Sequence, residues 1–154
     1  MESFLRLHRR VACFDQVLVA MGGSLVALAI RLYVGWQFFK SGLVKISDWD
    51  ATLSLFRDEY HVPLLPPELA AVMGAGGELF FPVLLLLGLF SRPAAIGLFV
   101  VNLMAVLSYP QLFMFECPAA VNDHAFWGAL LLVVVAYGPG KASVDAWLEA
   151  RIRT

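Results

Sequence analysis

The run Arg31-Leu-Tyr-Val-Gly35-Trp-Gln-Phe-Phe-Lys40-Ser-Gly42-Leu-Val-Lys45 places a guanidinium inside an otherwise apolar segment. At helical spacing Arg31, Gly35, Phe38, Gly42 and Lys45 fall at i, i+4, i+7, i+11 and i+14, so two cations and two glycines share one stripe. A stripe of that kind is expected to face protein rather than lipid, because an ionisable group inside a membrane segment needs a partner or a wet cavity.

The surroundings of that run are apolar throughout. The chain has 154 residues, 60% of them hydrophobic, with a net charge of −1 and a mean hydropathy of +0.78. These values fit a single membrane domain and lie outside the range of soluble ones. No basic block interleaved with aromatics points to nucleic acid.

Hydropathy and breaker residues predict an all-α, four-transmembrane-helix bundle with short interfacial helices at the N-terminus, between spans 1 and 2, and at the C-terminus. Phe4, Leu7, Val11 and Phe14 share a face with Arg6, Arg9 and Arg10 largely off it, which predicts an interfacial helix over 3–14. The spans are expected at about 17–39, 69–89, 94–109 and 124–137, each judged against the ~20 residues that cross a bilayer. In the first, eleven apolar side chains at roughly −0.5 kcal/mol each outweigh about +3 kcal/mol for Arg31. That run continues past Arg31, so it reads as an uncleaved span and not as a secretory signal. A surface helix is expected over 47–60 and a C-terminal interfacial helix over 143–152. Pro66-Pro67 opens the second span, and Gly138-Pro139-Gly140 ends the fourth.

Four spans put both termini on one side. Arg6, Arg9, Arg10, Arg92, Lys141, Arg151 and Arg153 would share that side, while Lys40, Lys45 and Arg57 face the other among Asp48, Asp50, Asp58, Glu59, Glu68, Glu116 and Asp123. The positive-inside rule then makes the termini cytoplasmic. Cys13 and Cys117 fall on opposite faces, which argues against an intrachain disulfide.

Counting 1.5 Å per residue from the outer span ends sets Arg31 roughly 12 Å deep and Glu78 about 14 Å deep. An Arg31–Glu78 ion pair is therefore expected, either as a structural brace or as a polar site for an anionic or quinone-like ligand. Lys45, Asn102 and His124 are further candidate ligand contacts. Their plainer roles are snorkelling for the lysines, an interhelical hydrogen bond for Asn102 and a helix cap for His124 beside Asp123. Cys117, His61, His124 and Met114 form a weak metal set, since no CxxC, HxxxH or methionine repeat accompanies them. No residue is singled out as catalytic, and no flavin, haem or cluster motif is present, so electrons would have to come from a partner.

Three pieces of the sequence resemble the DoxX family of small four-span bacterial membrane proteins. They are Arg31-x-x-x-Gly35 with Gly42-x-x-Lys45, Gly77-Glu78 ahead of Gly88-Leu-Phe-Ser-Arg92, and Gly138-Pro-Gly140-x-x-Ser143-x-Asp145. The resemblance covers roughly residues 25 to 147. It implies an inner-membrane bundle associated with redox systems: some members are subunits of thiosulfate:quinone oxidoreductases, another joins a complex with superoxide dismutase and a sulfurtransferase, and others are linked to metal-binding peptides. The expected function is thus a membrane subunit of a quinone-linked redox system acting with a redox protein partner. A non-catalytic anchor or assembly partner and a small-molecule transporter are the alternatives. Small-residue helix faces leave homodimerisation open.

Overall fold

The computed structural model describes residues 1–114 and 119–153, without the side chains of 2–5, 7, 10, 11, 13, 14, 16–18, 20 and 21. The described residues form six α-helices and one short 3-10 helix. Helix α1 is Glu2–Ser47, α2 Trp49–Asp58, α3 Pro67–Leu87 and α4 Ser91–Ser108. A 3-10 turn, Pro110–Phe113, then leads towards α5, Ala119–Tyr137, and α6, Val144–Ile152.

Helix α1 is continuous. The expected break between an interfacial helix at 3–14 and a span at 17–39 is not present, because the sequence has no proline before Pro63 and a Gly22-Gly23 pair costs only about 1 kcal/mol per glycine in a helix. Its far end also lies beyond Phe39, so Lys40 and Lys45 are helical residues. Asp48 stops it: its side chain accepts from the Ala51 amide at 3.0 Å and starts α2 in a new direction.

Helices α1, α3, α4 and α5 close into a ring, each packed on the next and α5 returning to α1. The centre is filled by Val34 and Phe38 of α1, Leu85 of α3, Ala94, Ala95 and Leu98 of α4, and Leu131 and Val134 of α5. Outside that core the helices expose large apolar side chains, among them Phe80, Val83, Ile96, Val100, Leu107, Phe126 and Leu132. So continuous an apolar exterior is the surface of a protein solvated by lipid. Among the described residues α3, α4 and α5 are long and apolar enough to cross a membrane.

Two glycines let α1 approach α3. A Cβ at Gly35 would lie 3.0 Å from Leu86 Cγ, and one at Gly42 2.8 Å from Leu79 Cγ and 3.1 Å from the Glu78 carbonyl carbon. The leucine can move, but the backbone of α3 cannot do so cheaply. Gly42→Ala is therefore expected to lower stability by about 1–3 kcal/mol through overpacking, read as a lower thermal midpoint in detergent. An unchanged midpoint would mean that α1 and α3 separate without loss.

Candidate functional site

The antiparallel α1/α3 seam sets a register in which Arg31 lies beside Leu85 and Leu86, Gly35 beside Pro82, Gly42 beside Leu79, and Lys45 beside Glu78. The expected Arg31–Glu78 pair is thereby corrected. Depth had been counted from Phe39, whereas α1 runs on to Ser47. Arg31 and Lys45 are about 21 Å apart along the helix, and it is Lys45 that reaches Glu78.

Arg31 is 1% exposed and bonded to carbonyl oxygens. Its Nε donates to Leu85 O at 2.9 Å and its Nη2 to Leu86 O at 3.1 Å, while Nη1 donates to Pro139 O at 2.7 Å and Ala142 O at 3.0 Å. The last carbonyls of α3 have no intrahelical donors and carry the negative end of the helix dipole. One planar guanidinium thus caps α3 and ties it to the loop after α5.

Asp145 completes this end. Gly88, at φ 71°, closes α3 with paired bonds from Gly88 N to Leu85 O and Leu89 N to Leu84 O. Phe90 must then adopt φ 47°, a left-handed conformation that costs a non-glycine residue about 1–2 kcal/mol. The Asp145 carboxylate offsets that cost by accepting from Phe90 N at 2.8 Å, Ser91 N at 2.9 Å and Ser91 Oγ at 2.8 Å. It also caps α4. A Cβ on Gly88 would lie 2.8 Å from Arg31 Nη2 and 2.6 Å from Ser143 Cβ, so only glycine fits between them.

The opposite end holds a cavity of about 160 Å³ between α2, α3 and α4. Its walls are largely apolar, including Phe56, Val62, Leu65, Met73, Val101 and Met104. Four polar side chains join them: Lys45, Glu78, Tyr60 and Ser108. Lys45 Nζ lies 2.8 Å from Glu78 Oε2 and 3.0 Å from Oε1, and also donates to Ser41 Oγ at 2.9 Å. Glu78 is 6% exposed, so this ion pair is largely withdrawn from solvent.

Helix α2 and the turn after it roof the cavity. Tyr60 stacks between Phe56, at 4.7 Å between ring centroids, and Tyr109, at 5.0 Å. Tyr109 donates its hydroxyl to Glu59 Oε2 at 3.0 Å, and the His61 amide donates to Ser108 O at 2.7 Å. Arg57 holds Glu68 through Nε and Nη2. Burial, with Glu78, Tyr109 and Glu59 nearby, pushes Tyr60 up to about 12. The hydrogen bond to Glu59, aided by burial, raises Tyr109. Both phenols are therefore neutral donors at physiological pH.

The other expected contacts lie apart from the cavity lining. Asn102 Nδ2 donates to His124 O at 3.0 Å, and the His124 ring Nδ1 lies 2.7 Å from Asn102 Oδ1. Together these bonds assign the proton to Nδ1 and brace α4 against α5. His124 does not cap α5, since that helix begins at Ala119. His61 is exposed, with Nδ1 against Glu59 O, Met114 is 79% exposed, and Cys117 lies outside the described residues. Among the described residues no group of three His, Cys, Asp or Glu side chains gathers as a metal site.

Sequence reasoning passed over Ser108 and the role of Ser41, and placed Tyr60 only at the end of the surface helix expected over 47–60. The available signal was position: Ser108 is the last residue of an apolar run before Tyr109-Pro110, where a helix end brings a side chain to a cavity rim.

The DoxX family model matches residues 26–111, which takes in Arg31, Lys45, Glu78, Gly88 and Ser108. The chain belongs to the DoxX family. This DoxX protein is also similar to a Haemophilus influenzae protein described only as an uncharacterized protein, with 27% identity over 140 residues, 88% of this chain and 91% of that one. No solved structure matches it significantly. It is thus a DoxX-family membrane protein, and family membership with apolar helices associates it with the lipid bilayer.

Proposed function

We propose that this DoxX protein is the membrane subunit of a redox system and that its cavity holds the ring of a lipid-soluble, quinone-class ligand. The observation that carries this reading is the combination of apolar walls with a buried Lys45–Glu78 pair and a buried Ser108 hydroxyl that has no partner among the described residues. Binding sites for such molecules are largely apolar with a few convergent polar groups. At the rim, Met73 and Val100 are 56% and 50% exposed, so an apolar tail can leave between α3 and α4 into lipid. Electrons would be exchanged with a protein partner.

Purified protein is expected to carry about one quinone-class molecule per chain by mass spectrometry of its solvent extract, and the Lys45→Met/Glu78→Met double variant to lose most of it. An extract with bilayer lipid alone would overturn the reading in favour of a non-catalytic anchor. That second reading has its own support, because Arg31, Gly88, Ser143 and Asp145, all in the family pattern, serve one hydrogen-bonded end of the bundle.

The same proposal takes α1 as a fourth span and sets both termini in the cytoplasm of a bacterial inner membrane. Arg92 and Lys141 lie at the Arg31 end, with Arg92 bonded to Val135 O and the Lys141 amide to Ser24 Oγ, which is the cation-rich side the positive-inside rule assigns to the cytoplasm. In intact spheroplasts Cys117 is expected to react with a membrane-impermeant maleimide and Cys13 to remain unlabelled. The reverse pattern would invert the orientation.

A further inference from the structure

The hydrogen-bond inventory of the cavity says which form of a ligand it favours. An ammonium has three donors, and those of Lys45 go to Ser41 Oγ, Glu78 Oε1 and Glu78 Oε2. Among the described residues Lys45 is the one cation lining the cavity, and its charge is matched by the carboxylate it touches. An anionic ligand would therefore find no unused donor on the cation and would meet a carboxylate.

Glu78 has capacity left. A carboxylate offers about four lone-pair positions and no donor, and among the described residues Lys45 alone occupies two of them. At the other end Ser108 is 1% exposed, and its hydroxyl has no partner among the described residues. The α3/α4 register, with Gly77 against Val101 and Phe81 against Gly97, sets Glu78 level with Val100, so Ser108 lies about 12 Å further along α4. A cavity of about 160 Å³ is close to the ~150 Å³ that suffices for benzene. The space fits one ring with a polar group at each end.

We infer that the cavity selects a ring bearing hydrogen-bond-donating hydroxyls, so that the reduced, diphenol form of a quinone-class ligand binds in preference to the oxidised dione. One hydroxyl donates to a free lone pair of Glu78, and the other exchanges a hydrogen bond with Ser108. The dione presents only acceptors: the Ser108 and Tyr60 hydroxyls of the lining can donate to it, but at the Glu78 end it sets a carbonyl oxygen against a carboxylate oxygen. Tighter binding of the reduced form raises the potential of the bound couple, by about 30 mV for each tenfold in a two-electron pair. The site then works as an electron acceptor. This inference rests on the proposed ligand-binding role of the cavity.

The test is equilibrium dialysis of three probes against the purified protein under anaerobic conditions: a decyl-tailed benzoquinol, its benzoquinone and its dimethyl ether. The quinol is expected to bind at least tenfold tighter than either of the others. Equal or tighter binding of the quinone would overturn the preference while leaving the cavity as a ligand site. Binding of none of the three would overturn both. Glu78→Gln, which supplies a donor as well as an acceptor, is expected to erase the quinol preference. Because that variant also disturbs Lys45, Ser108→Ala serves as the second arm: it leaves the ion pair intact and is expected to weaken quinol binding severalfold. Unchanged quinol affinity in Ser108→Ala would remove Ser108 from the site and overturn the two-ended recognition.

Discussion

Arg31→Met is expected to prevent the bundle from accumulating as a folded species. The substitution removes the donors of four hydrogen bonds whose acceptors are carbonyls at the end of α3 and in the loop after α5. Leu85 O keeps the Gly88 amide, but Leu86 O, Pro139 O and Ala142 O lose the donor that Arg31 supplies, and at about 1–3 kcal/mol for each acceptor left without one the three together cost about 3 kcal/mol or more. That is a large part of the 5–15 kcal/mol typical of a whole domain. Arg31→Lys is expected to fall between, because a lysine has three donors and no fixed fork with which to span carbonyls on two segments. The measurement is the monodisperse fraction on size exclusion together with the thermal midpoint in detergent. A wild-type profile for Arg31→Met would mean that water takes over the carbonyls that Arg31 leaves.

The second large effect belongs to the other end. Lys45→Met leaves the Glu78 carboxylate buried without its counter-ion, a situation that costs about 3–5 kcal/mol. Glu78→Met is milder, since Lys45 keeps Ser41 and its long stem can carry the ammonium outward. The double variant, with both charges gone and similar volume retained, is expected to return close to wild-type stability, because well-packed apolar replacements of a buried pair are often neutral. Chemical unfolding of the four proteins gives the coupling energy. Arg31 and Glu78, far apart on the seam, should instead give losses that add within about 0.5 kcal/mol. Strong coupling between Arg31 and Glu78 would contradict the register described above. The Lys45/Glu78 double variant also separates stability from binding, for it should fold and yet lose the ligand.

The helical class of the chain and the approximate spans α3 to α5 are legible in the sequence because apolar runs bounded by Pro66-Pro67, Gly88, Pro110 and Gly138-Pro139-Gly140 have few other solutions in lipid. The stripe from Arg31 to Lys45 was also correctly read as one face. The outer end of α1 was not, because hydropathy falls at Lys40-Ser41 while helical hydrogen bonding has no reason to stop before Asp48. That error moved the depth origin by eight residues and matched the wrong cation to Glu78. The role of Arg31 was hidden for a different reason: its acceptors are backbone carbonyls, which every residue has and which no sequence pattern marks. Asp145 appeared within a family pattern, but the strained Phe90 that it offsets becomes evident only from backbone dihedrals.

The guanidinium of Arg31 also has a history during synthesis. Its partners are 54, 55, 108 and 111 residues later in the chain, so the helix that carries it must form and wait. At a translation rate of 5–20 residues per second, Ala142 follows Arg31 by roughly 5–20 s. During that interval the nascent chain holds a cation without its final acceptors, shielded by the insertion machinery or by water. Closure of the last loop is what releases it. A chain cut short after α5 would keep the Leu85 and Leu86 carbonyls but leave Arg31 Nη1 without the Pro139 and Ala142 carbonyls that complete its bonding.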